Sequence, residues 1–159
     1  MARFEETAFS IWFRESGAAF FSSLTFHSLA MAFVVGINIA VGLRLVGVAP
    51  KISLQRIINF YPLHWYCTIA ILVSGLALLV AYPAKALTNP VFYLKLTALI
   101  IGLGLSRYFQ IKLQKEHSPT ELSKLKLLGI LSLFLWIVTI TAGRFLAYTH
   151  NTLLASRFY

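Results

Sequence analysis

From Gly17 to Leu43 the chain runs without one charged residue, and from Ile57 to Ala84 it does so again. Two further apolar stretches follow, Ala86 to Ser106 and Leu127 to Thr149, each interrupted by a single cation, Lys95 and Arg144 respectively. A helix needs about 20 residues to cross roughly 30 Å of hydrocarbon, and every one of these stretches is long enough. Backbone N–H and C=O groups in lipid must find partners within the chain, so such segments fold as helices. The pattern predicts an all-α integral membrane protein: an up-down-up-down four-helix bundle with spans at about 17–43, 57–84, 86–106 and 127–149.

Charge supports this reading and excludes another. Only 12% of residues are charged and mean hydropathy is +0.77, where soluble domains carry about 25% charged residues. Lys and Arg number 14 against 5 acids, all of them Glu, and the pI is near 10. These cations punctuate apolar runs rather than forming a stripe, so they are loop charges of a membrane protein and not a nucleic-acid surface. Four spans put both termini on one side, with Arg3, Arg14, Lys85 and Arg157. The other side carries Arg44, Lys51, Arg56, Arg107, Lys112, Lys115, Lys124 and Lys126. The positive-inside rule makes that richer side cytoplasmic. The expected location is a bacterial inner membrane with both termini periplasmic.

Local signals place the ends. Asn59 with Pro62 is positioned to open the second span, and Thr88-Asn89-Pro90 the third, because proline suits a first helical turn whose N–H groups lack partners. "AYPAK" at Ala81–Lys85 predicts a tight turn. In "QKEHSPTELSKLK", Ser118 is a cap with Glu121 at capping-box spacing. Residues 1–16 mix acids, bases and aromatics, which predicts an interfacial amphipathic segment rather than a cleavable signal. No linker or internal repeat breaks the chain, so residues 1–159 form a single transmembrane domain. Cys67 is the only cysteine, which rules out an intramolecular disulfide and leaves a small buried side chain as its simplest role.

The intramembrane polar residues are where function is legible. At 1.5 Å per residue, Lys95 and Arg144 lie roughly 8 Å from the ends of their spans and His27 roughly 14 Å, all in the leaflet nearest the termini. No acid inside the spans balances them; Glu15, the nearest, is at the surface. Lys95 and Arg144 either snorkel toward headgroups or line a site. His27 is too short to snorkel and is either a neutral interhelical hydrogen-bond donor or a ligand. Gly102 and Ser106 fall on the Lys95 face, and Asn38 on the His27 face, as an interior-facing stripe would place them. Positive charge without acids asks for an anion or a carboxylate-bearing ligand. A b-type haem meets this description: an imidazole for the iron and cations for its propionates. His27 would be the metal ligand, Arg144 a propionate partner, and Lys95 a propionate partner or second axial ligand. His64 and His150 do not match His27 in depth, and His117 lies in the cytoplasmic loop.

"TFHSLAMAFVVGINIAVGLRLVG" with "NPVFYLKL" and "AGRFLAYT" resembles the CopD/HemJ-like group of bacterial membrane proteins, nearest to its uncharacterised members. The resemblance implies a haem-binding role for His27 and Lys95. The long basic and aromatic signature that follows the first span of HemJ proteins is absent here, and no Met-rich or paired-His site suits CopD-like copper handling.

Three functions stay open on the sequence. The first is a small haem-binding membrane protein, b-type cytochrome-like, transferring electrons to or from a quinone or partner subunit, or handling haem; it is an oxidoreductase only if a cofactor is bound. The second is a non-catalytic accessory or assembly subunit of a larger respiratory or photosynthetic complex, with His27 ligating a chlorophyll-type pigment or no cofactor at all. The third, a carrier for a small anion or metal, lacks the inverted repeat such folds show. Hydrolases and transferases find neither a Ser-His-acid set nor a glycine-rich phosphate loop.

Overall fold

A computed structural model describes residues 7–48, 50–113 and 119–155. Seven helices make up its described secondary structure: α1 (Ala8–Glu15), α2 (Gly17–Val46), α3 (Leu54–Ile58), α4 (Tyr61–Ala81), α5 (Pro83–Leu87), α6 (Pro90–Lys112) and α7 (Pro119–Ala155). Four segments are long and apolar enough to cross a membrane: Gly17–Val46, Leu54–Ala81, Pro90–Lys112 and Ser123–Leu146. The protein is an all-α multi-pass membrane protein built as a four-helix bundle. Arg3, Lys115, His117, Ser118 and Arg157 lie outside the described residues, as do the side chains of Lys85, Glu121 and His150.

The helix ends follow local chemistry. Ser16 caps α2 by accepting from the Ala19 N–H at 3.3 Å. Gly47 ends α2 at φ 106°, left-handed backbone that glycine adopts without a Cβ clash. Its N–H and that of Val48 return to the Leu43 carbonyl at 3.2 and 2.9 Å, which satisfies the last turn. Asn89 caps α6, accepting from Val91 N–H at 3.0 Å, with Pro90 in the first turn. The expected tight turn at Ala81–Lys85 contains the short helix α5 instead, since Pro83 fits a first helical turn as readily as a loop. Both α2 and α6 run past the ends of their expected spans, Leu43 and Ser106, to Val46 and Lys112. Charge marks where hydrocarbon stops, not where helical hydrogen bonding stops.

Packing is uneven around the bundle. Helix α2 packs closely on α4 and α7, and α7 on α6, whereas α4 and α6 approach each other much less. One core cluster joins Ala30, Val34, Val35, Ile71 and Trp136, and a second joins Val41, Ile58, Tyr61, Phe109 and Leu125. The outer surface carries exposed Phe21, Phe26, Tyr66, Ile100 and Leu127, the expected solvation of a bundle whose solvent is lipid. Small residues set the tightest approach. A Cβ at Gly42 would lie 2.7 Å from Leu133 Cγ and 3.2 Å from the Gly129 carbonyl oxygen.

Helix α1 folds back on the bundle. Thr7 caps it, and buried Ser10 donates to the Val80 carbonyl at 3.0 Å. Phe13 is buried and meets Phe20 edge-on at 6.3 Å, Phe20 meets Tyr82 at 5.8 Å, and the Arg14 guanidinium lies 5.9 Å from the centre of the Tyr82 ring. Ile11 and Trp12 face outward. One side of α1 is therefore docked, and the other presents an exposed apolar, tryptophan-bearing face, the composition of an interfacial helix.

Candidate functional site

Two polar nodes lie inside the spans, one in each half of the bundle. The first is built around His27 on α2. Directly across, Ser74 Oγ on α4 donates to the Ala70 carbonyl at 2.6 Å. That engages its one proton, so its oxygen accepts from His27 Nδ1 at 2.9 Å. His27 is therefore held with its proton on Nδ1 and a lone pair on Nε2. Its ring lies against Gly75, where a Cβ would come within 3.3 Å of Cε1, so glycine gives the imidazole room between α2 and α4.

Lys95 on α6 is half-buried, and its stem runs beside Gly143 of α7. A Cβ there would lie 3.6 Å from both Cε and Nζ. His27 lies against Gly75 of α4 and Lys95 against Gly143 of α7, and no hydrogen bond joins these two expected site residues. Arg144, the third, is exposed on α7 immediately after Gly143. It sits on the outer surface rather than against the imidazole.

The second node was not anticipated as a unit. Asn38 on α2 donates through Nδ2 to the Val34 carbonyl and to His64 Nε2, each at 2.8 Å. Its Oδ1 accepts from Ser106 Oγ on α6 at 2.5 Å. Asn38, His64 and Ser106 are each no more than 1% exposed, and they tie three spans together across the loosely packed α4–α6 edge. Trp65 Nε1 spans the same edge by donating to Gln110 Oε1 at 3.0 Å. Gly102 and Ser106 do face the interior, as the stripe on the Lys95 face predicts. The missed signal was an amide and an imidazole at similar depth on adjacent antiparallel spans.

His64 lies about 15 Å along α4 from Ser74, the residue that faces His27, so it is not placed as a second imidazole beside His27. Among the described residues, no group of three His, Cys, Asp or Glu side chains is placed to hold a bare metal ion. A metal meeting His27 would have to bring most of its ligands with it.

The sequence model of a family described as "Family of unknown function (DUF6644)" matches residues 4–149. The chain belongs to this family. The DUF6644 match takes in helix α1, all four spans and both polar nodes. No curated protein and no solved structure matches the chain.

Proposed function

We propose that this protein binds a b-type haem through His27 and acts as a small membrane cytochrome or haem-handling protein of the bacterial inner membrane, exchanging electrons with a quinone or a partner subunit. One observation carries the reading: the Ala70–Ser74–His27 hydrogen-bond chain leaves Nε2 as a free lone pair. Metal-ligating histidines are held in this way, with the distal N–H fixed by an acceptor that sets tautomer and ring orientation. A porphyrin supplies the remaining equatorial ligands, which suits a solitary imidazole. Bound haem would contribute one-electron chemistry at its iron. The chain's part is to ligate through His27, to meet a propionate with Lys95, and to offer Arg144 to a propionate at the headgroup level. This assignment keeps to what the CopD/HemJ-like resemblance implies for His27 and Lys95. The excess of basic residues in the loops opposite the termini supports periplasmic termini.

A second reading has one observation in its favour. The loosely packed α4–α6 edge suits an accessory subunit that receives a helix from a larger complex, where His27 would ligate a pigment magnesium or nothing.

Ser74→Ala is the direct test of the orienting bond. Haem affinity should fall by about 10–100-fold, the usual consequence of removing a partner that orients a ligating histidine, with helical content unchanged and Ser74→Thr restoring part of it. Affinity unchanged in the alanine variant would separate His27 orientation from haem binding. Lys95→Met should leave folding intact and weaken haem binding by about ten- to a hundredfold, as for a lost charge-assisted contact of roughly 1.5–3 kcal/mol. Equal affinity of variant and parent in a haemin titration would assign Lys95 to snorkelling alone.

A further inference from the structure

The haem reading makes no use of the second node, and that node is incomplete within the protein. Among the described residues, four buried side-chain groups have no hydrogen-bond partner: His64 Nδ1, the Tyr61 hydroxyl, the Ser132 hydroxyl and Trp136 Nε1. All four residues are at most 1% exposed. Their placement is ordered. Tyr61 lies one turn before His64 on α4, with ring centroids 5.5 Å apart. Trp136 packs over Gly102, one turn from Ser106.

The protonation of His64 follows from its neighbours. Asn38 must direct its NH2 toward the Val34 carbonyl, since the reversed amide would set two oxygens 2.8 Å apart. The same NH2 then donates to His64 Nε2. Nε2 is therefore an acceptor, and a neutral imidazole in that state carries its proton on Nδ1. Nδ1–H is thus a buried donor with no acceptor among the described residues. Lipid tails offer none.

We propose that the bundle binds an internal water molecule between His64 and Tyr61, its oxygen accepting from His64 Nδ1–H and bonding the Tyr61 hydroxyl. Water suits the node because it is a small neutral acceptor able to serve both groups at once, and buried water commonly completes otherwise unpaired polar groups. An ion does not suit it, since neither an acid nor a cation belongs to the Asn38–His64–Ser106 network. The hydrated node would give the loosely packed α4–α6 side a fixed polar joint in place of close helix contact.

Magic-angle-spinning NMR of the full chain in lipid bilayers, labelled with 15N-histidine and assigned through His64→Phe, tests this. His64 should be neutral with its proton on Nδ1, and that proton should receive magnetisation from water. Tyr61→Phe should abolish most of the transfer while the tautomer, set by Asn38, stays the same. Three results would each overturn the proposal: a proton on Nε2, an Nδ1–H that takes no magnetisation from water, or transfer undiminished in Tyr61→Phe.

Discussion

Alanine at Gly42 should destabilise the bundle by about 1–3 kcal/mol, the range for forcing extra atoms into a packed interface. The new Cβ would lie 2.7 Å from Leu133 Cγ and 2.9 Å from Leu133 Cδ2, with the Gly129 carbonyl oxygen at 3.2 Å. Cγ is the branch point of leucine, so turning χ2 alone does not clear it, and the backbone oxygen cannot move without its helix. The α2–α7 contact would have to widen, loosening the seam between the two helices that organise the rest. Gly36 is the natural control because it lies on the same helix with nothing within 4 Å of its Cβ position. Gly36→Ala should be neutral, or stabilising by up to about 1 kcal/mol through helix propensity. Unfolding midpoints in a mixed-micelle SDS titration compare the two, and equal midpoints would show that α2 and α7 are not held at glycine distance.

If His27 ligates a haem as proposed, His27→Ala should remove its visible absorbance while leaving far-UV helical content unchanged. The imidazole offers an Nε2 lone pair with no partner among the described residues, and Ser74, itself bonded to the Ala70 carbonyl, holds the ring there. Alanine leaves Ser74 still bonded to the Ala70 carbonyl, so the damage is confined to ligation. His64→Ala should behave in the opposite way: it strips Asn38 of a buried partner and weakens the fold without being the iron's ligand. A His27→Ala protein that keeps its full spectrum would remove His27 from the axial role.

The spans were readable because hydrocarbon permits few solutions: long uncharged runs must be helices, and "TNP" fixed the start of α6 through an Asn89 cap. Their far ends were less readable. Helical hydrogen bonds continue through Arg107, Gln110 and Lys112, and α5 occupies what read as a simple turn. The depths of His27, Lys95 and Arg144 can be counted from span ends, but counting residues does not give the direction in which a side chain faces, and Arg144 is exposed on α7. Ser74 gave no signal at all, because a serine in an apolar run looks the same whether it packs or accepts a hydrogen bond. His64 lies at a different depth from His27, so residue counting does not link the two. Its true partners, Asn38 and Ser106, come from two other helices, and their pairing depends on the antiparallel register of α2 against α4 and the angle of α6, which no single segment encodes.

The central claim is that His27 holds a haem, and the most direct measurement is the absorbance spectrum of the protein purified gently from its native membrane, as isolated and after dithionite. A Soret band is expected, together with α and β bands that sharpen on reduction. A flat visible spectrum, with other polypeptides co-purifying, would contradict it and favour the accessory-subunit reading. A long-wavelength band would contradict it too, and would make His27 a pigment ligand.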